Sequence, residues 1–139
     1  MTAERAVTTY LQEHGFPDAV DTLARITGTG PVHWQVADRD AEHAGDALVA
    51  DWLEETRTAA TTYRAHLGIL VTPRADHGPA RVASWWAHVD VGALARAMRG
   101  RLVLPEEVSA GMVRMHLSTA VLLARAAGYG APLGMGAAA

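Results

Sequence analysis

The chain has 139 residues, half of them hydrophobic and 19% charged, a balance that suits one globular domain and excludes a disordered chain. It has no cysteine and no lysine, so disulfides, thiolate metal sites, cysteine nucleophiles, Schiff-base chemistry and a phosphate-loop lysine are all excluded. The net charge of −3 is unevenly spread: residues 1–62 carry 4 Arg against 11 Asp and Glu, and residues 63–139 carry 8 Arg against 4 acids.

A first helix is predicted from Thr2 to His14. Thr2 suits the N-cap and Glu4 the first turn, while Ala3, Ala6, Val7, Tyr10 and Leu11 share one face. Gly15 and Pro17 end it. Val20 to Thr27 reads as a strand, Gly28-Thr29-Gly30-Pro31 as a tight turn, and Val32 to Ala37 as a second strand with alternating apolar residues. The two are expected to form a hairpin. Asp38 to Asp46 is a charged loop. A helix capped by Gly45 or Asp46 then runs to Ala65, with Leu48, Val49, Trp52, Leu53, Thr56, Ala60 and Tyr63 on its buried stripe.

Leu67 to Thr72 is a continuous apolar run, as in a strand covered on both faces. Pro73 to Pro79 is a turn, and Ala80 to Val89 a strand returning beside it. Asp90 caps a short helix, Val91 to Met98. A short strand is expected at Leu102 to Leu104, a helical turn at Pro105-Glu106-Glu107, a strand at Met112 to Leu117, and a helix capped by Ser118 running to Ala127. The fold class is therefore α/β (α+β), a mixed sheet flanked by helices. One domain is expected over residues 1–130, with a flexible Gly/Ala-rich tail over 131–139. No apolar run reaches the roughly 20 residues of a membrane span, and Met1 to Tyr10 has no apolar stretch suited to secretion. A cytoplasmic protein with no membrane partner is expected.

Some motifs are informative as they stand. Asp38-Arg39-Asp40-Ala41-Glu42-His43 opens like a calcium loop. It has His43 where that loop needs glycine and Val49 where it needs glutamate, so it reads as a solvated loop. The seven histidines include no close ligand pair. Trp85-Trp86 places two indoles on opposite faces of a strand. One can enter the core; the other is expected either to face outward, suited to an interface or to base stacking, or to meet the next layer by packing beneath a terminal helix. Arg74, Arg81, Arg96, Arg99 and Arg101 are candidates for a basic rim nearby, the plain alternative being a scattered solubilising surface.

Three segments carry a family resemblance. These are Glu4-Arg5-Ala6-Val7 on a helix ending in His14-Gly15-Phe16, Val32-His33-Trp34-Gln35-Val36-Ala37 after a glycine turn, and Ala50-Asp51-Trp52-Leu53 followed by Leu67-Gly68-Ile69-Leu70-Val71-Thr72-Pro73-Arg74. Over its first 100 residues the chain resembles the Holliday-junction-resolvase-like branch of the PD-(D/E)XK nuclease fold, of the phage and actinobacterial type. The resemblance implies a restriction-endonuclease-like core, α-β-β-α-β-β, with C-terminal helices, and commonly a homodimer, for which Trp86, Val121 and Leu122 are surface candidates. It also implies phosphodiester hydrolysis with Mg²⁺ or Mn²⁺ held by carboxylates and a strand Glu-x-Lys, whose two residues share a face.

Position by position the chemistry is missing. Glu4 stands at the helix carboxylate, Arg25 at the strand aspartate, and Gln35 and Ala37 at Glu-x-Lys. Without lysine no shifted register restores the motif. The expectation is therefore a catalytically degenerate nuclease-fold protein of a phage or mobile element. It would have no catalytic residues, no resident metal and no cofactor, and would bind DNA or a protein partner as a regulatory module. Arg74, Arg81, Trp85, Trp86, Arg99 and Arg101 are its contact candidates. Two alternatives stand beside it. One is an active metal-dependent nuclease with a displaced site at Glu4, Asp21 and Asp38, needing Mg²⁺ or Mn²⁺. The other is an unrelated small α/β protein-interaction domain.

Overall fold

A computed structural model describes residues 2–22, 25–37, 45–98 and 111–133. Helix α1 spans Ala3–Glu13, and the Thr2 side chain caps it by accepting from Arg5 N at 3.1 Å. Strands β1 (Val20–Thr22) and β2 (Arg25–Thr27) form an antiparallel pair. Strand β3 (Val32–Val36) follows, then helix α2 (Asp46–Thr62) and strand β4 (Leu67–Thr72). A 3-10 helix at Pro79–Ser84 leads into β5 (Trp86–Asp90), helix α3 (Val91–Ala97), strand β6 (Met112–His116) and helix α4 (Leu117–Ala126).

The main sheet has the order β3-β4-β5-β6. The β3–β4 pair is parallel, joined through α2, and the other two pairs are antiparallel. This is the mixed sheet flanked by helices that the residue pattern predicts. Among the described residues no helix is long and apolar enough to cross a membrane.

The registers sort the side chains onto two faces, because alternate residues of a strand point oppositely and paired residues point together. One face carries Trp34, Ile69, Val71, Ala87 and Val89. They join Val7 and Leu11 of α1, Ala93 of α3 and Val121 of α4 in the main core. The other face carries His33, Gln35, Gly68, Leu70, Thr72, Trp86, His88 and Arg114. Only its middle is apolar: there Val49, Trp52 and Leu53 of α2 pack with Ala37 and Leu70. Gly68 lets the helix come close, since a Cβ would stand 3.1 Å from Ala60 Cβ and 3.2 Å from the Thr56 carbonyl oxygen.

Several expectations change. The hairpin lies within Val20–Thr27 rather than around Gly28–Pro31, so three strands precede α2 and the order opens α-β-β-β-α-β. Gly28 (φ +78°) is needed because a Cβ would collide with the Asp18 carbonyl oxygen. The strand expected from Ala80 begins only at Trp86, because Pro79 starts a 3-10 helix. Helix α4 begins at Leu117, with His116 and not Ser118 at its N-cap. The start of the tail is tied: Ala131 N donates to the Gly15 carbonyl at 2.7 Å, and Arg125 Nε donates to the Ala131 carbonyl at 2.9 Å. The expectations for 38–44, 102–107 and 134–139 lie outside the described residues.

Candidate functional site

Helix α2 crosses the polar face and leaves a group of side chains at each of its ends. At the C-terminal end, the β1–β2 hairpin brings Arg25 onto Tyr63, its guanidinium carbon 3.6 Å from the ring centre. Tyr63 also meets the His33 ring at 5.6 Å. His33 and Gln35, two apart on β3, share a face, and His33 Nε2 donates to Gln35 Oε1 at 3.0 Å. Burial pushes the His33 imidazole below its ordinary pKa; the Gln35 hydrogen bond opposes this and the Arg25 charge adds to it. A cleft of about 110 Å³ opens between the hairpin, His33 and Tyr63.

Ala37 lies on the same face as Gln35, two residues further along, but in the apolar cluster under Val49, Trp52 and Leu53. The motif positions therefore hold a guanidinium stacked on a ring, a neutral amide whose oxygen is already bonded, and a buried methyl. That donor set does not fit a divalent cation, which takes carboxylate and carbonyl oxygens. Glu4 is half-buried on α1, whose apolar stripe packs on the opposite side of the sheet, and nothing joins it to Gln35 or Arg25. Asp21 is exposed on β1, and Asp38 lies outside the described residues. Among the described residues, no three His, Asp or Glu side chains come together as a group able to hold a metal.

The N-terminal end of α2 overlooks a larger cleft of about 510 Å³. Its lining includes Asp46, Thr72, Arg74, Trp86, His88 and Arg114. The registers explain the convergence: Thr72 pairs with Trp86, Trp86 with His116, and His88 with Arg114. Trp86 carries two guanidiniums, Arg74 at 4.3 Å and Arg114 at 4.2 Å from its ring centre. Arg74 Nη1 also donates to His116 Nε2 at 3.3 Å and to the Ser84 carbonyl at 3.5 Å. No carboxylate among the described residues forms an ion pair with either arginine; the described pairs are Arg57 with Glu54 and with Asp90. His88 is 4% exposed, and Thr72 Oγ1 lies 3.0 Å from its Nε2. Its Nδ1 is buried without a partner. Burial, and then the Arg114 charge, lower its pKa to about 4.

The predicted contact residues separate accordingly. Arg74 and Trp86 meet in this cleft. Trp85 does not belong to a contact surface: it is 3% exposed in the main core, its Nε1 donating to the His77 carbonyl at 2.7 Å. Val121 is likewise buried and cannot serve a dimer surface, whereas Leu122 is exposed. Arg81 is exposed on the 3-10 helix, outside the cleft lining, and Arg99 and Arg101 lie outside the described residues. Arg114 and His88 were not among the predicted contacts. The signal for Arg114 is the alternation of Met112–His116, which puts 114 and 116 on one side of a strand. Its pairing with β5 is a matter of tertiary register. Comparison of the chain with protein-family models, with curated proteins and with solved structures finds no match.

Proposed function

We propose that the chain is a hydrolytically inert, nucleic-acid-binding module built on a nuclease-like scaffold, with DNA as its ligand. One observation carries this reading: on the α2 side of the molecule three guanidiniums, Arg25, Arg74 and Arg114, are held on aromatic rings. Metal-assisted phosphodiester hydrolysis would need carboxylates there. A guanidinium seated on a ring is partly desolvated and restricted before any ligand arrives, which lowers the ordering cost of gripping a phosphate. Arg25 supplies positive charge at the position where the resemblance implies a metal-binding aspartate. It can attract a phosphate, but it cannot ionise a water for attack.

The test uses a four-way junction and a plain duplex, each incubated with the protein in Mg²⁺ and in Mn²⁺, then run on native and denaturing gels. Retarded DNA without new strand ends is expected, with binding that weakens steeply as salt rises. Strand cleavage that disappears in a Glu4→Ala protein would overturn the inert-module reading. Absence of any retarded species at low salt would remove DNA as the ligand and turn the search to protein partners.

A further inference from the structure

We propose that the cleft at the N-terminal end of α2 is a phosphate-ester site in which Arg74 and Arg114 grip one phosphate group together. The inference deepens the nucleic-acid reading by naming the group bound and the residues that bind it. It rests on the cleft and owes nothing to the family resemblance.

Both guanidinium carbons stand over the same indole, 4.3 and 4.2 Å from its centre, so they are at most 8.5 Å apart, the sum of the two. A tetrahedral phosphate sits roughly 4 Å from a guanidinium carbon across a charge-assisted hydrogen bond, so gripping one group requires the two carbons to stand no more than about 8 Å apart, within the range that the shared indole sets. The guanidinium fork matches phosphate oxygens in pairs. Trp86 fixes the two cations rather than offering a free stacking surface, because its π system is already occupied. Among the described residues of the lining, Asp46 is the one carboxylate, against two guanidiniums.

Two further features favour an anion here. Asp46 opens α2; the Leu48 and Val49 N–H groups donate to the Gly45 carbonyl at 3.1 Å, and the Asp46 and Ala47 N–H groups receive no side-chain cap from Gly45. The cleft also includes His88, whose buried Nδ1 has no partner among the described residues although its Nε2 is bonded to Thr72. A buried polar atom left this way is costly unless a ligand or water satisfies it. The volume of about 510 Å³ is in the range of small-ligand sites and exceeds what a single ion needs. It leaves room for the sugar or strand that carries the phosphate.

The experiment follows the tryptophan indole N–H signals by NMR, with the Trp86 signal assigned from Trp86→Phe. Three probes are added: inorganic phosphate, a short thymidine oligonucleotide with a 5′-phosphate, and the same oligonucleotide with a 5′-hydroxyl. Sodium chloride at matched ionic strength is the control. Saturable movement of the Trp86 signal is expected with phosphate and with at least one oligonucleotide, but not with chloride. R74Q/R114Q should weaken that binding about tenfold or more, while Arg5→Gln on α1 leaves it unchanged. Tighter binding of the 5′-phosphorylated strand identifies a terminal phosphate as the source; equal binding identifies an internal backbone phosphate.

A Trp86 signal that stays still with all three probes, or moves equally with chloride, would overturn the proposal. So would an R74Q/R114Q protein with unchanged affinity. If the double variant does not fold, Arg114→Gln alone on the exposed β6 position takes its place. Junction DNA still retarded by a folded R74Q/R114Q protein would sink the cleft but leave the DNA reading standing. Phosphate bound at Trp86 by a protein that retards no DNA would do the reverse.

Discussion

His88 shows how a single residue ties this face to pH. Its ring is buried on β5 beside Leu70 and below Arg114, so the charged form is penalised twice, first by desolvation and then by the neighbouring cation. The folded-state pKa of about 4 lies below the unfolded value of 6.5. Between those values the unfolded chain binds the extra proton and the folded chain does not, so stability rises with pH. The contribution is fully present above pH 6.5 and is lost as pH falls toward 4, amounting to about 3 kcal/mol. Urea unfolding from pH 7.5 to 4 should therefore show a decline that His88→Gln flattens, and NMR titration should place the His88 midpoint near 4. Arg114→Gln should raise that midpoint. A His88 ring titrating at its ordinary value in the native protein would contradict its burial and its place beside Arg114.

At the scale of elements, Asp90 joins three pieces of the fold. It ends β5 and caps α3, its Oδ1 accepting from Ala93 N at 2.6 Å, while Oδ2 lies 3.3 Å from Arg57 Nε of α2. Asp90 is buried, so the cap is made with little water present, whereas the Arg57 partner is half-exposed and that contact is open to solvent on one side. Asp90→Ala should cost about 2 kcal/mol, from a lost cap of about 1 and a lost charge-assisted bond of similar size. Asp90→Asn should cost about half as much, because an amide oxygen still caps the helix. Denaturant midpoints of the two variants measure both. Equal losses would mean that the cap contributes little and the Arg57 contact dominates.

The Asp90 cap and helix α3 were legible in the sequence, as were α1, the buried run of β4 and the alternation of β6. Each announces itself by local chemistry: a capping side chain, a helical stripe, a bounded apolar run. The β1–β2 hairpin was not, because Val20, Asp21 and Thr22 are all exposed and so carry no alternation to read. Gly28 misled in the same place. It looks like a hairpin turn, but it serves a close backbone approach to Asp18. That Arg25, Gln35 and Ala37 bring neither carboxylate nor lysine was legible, yet how they are arranged was only half so. Arg25 does reach the His33–Gln35 side of the sheet, but its seat on Tyr63 depends on residues 38 apart in sequence. The Arg74–Trp86–Arg114 group was less legible still, since it exists only once the β4–β5–β6 register brings three strands together.

The whole molecule constrains how a long anion can lie on it. The acidic bias of residues 1–62 is concentrated, in part, on the outer side of α2, where Asp51, Glu54 and Glu55 are exposed along a shallow groove of about 430 Å³. Arg57 offsets only some of this, being shared between Glu54 and Asp90. The guanidiniums lie instead at the two ends of the helix, Arg25 at one and Arg74 with Arg114 at the other. A duplex laid flat across α2 would meet like charge at its centre, which is unfavourable by Coulomb repulsion at low salt. DNA is therefore expected to approach from the β5–β6 side and to feel the α2 acids as a flanking repulsion. Neutralising them in D51N/E54Q/E55Q should tighten duplex binding several-fold at low salt, and fluorescence anisotropy should show the gain shrinking as salt screens the charges. An unchanged affinity at low salt would place the DNA path more than a screening length from α2, and binding would then have to be explained by the Arg74 and Arg114 end alone.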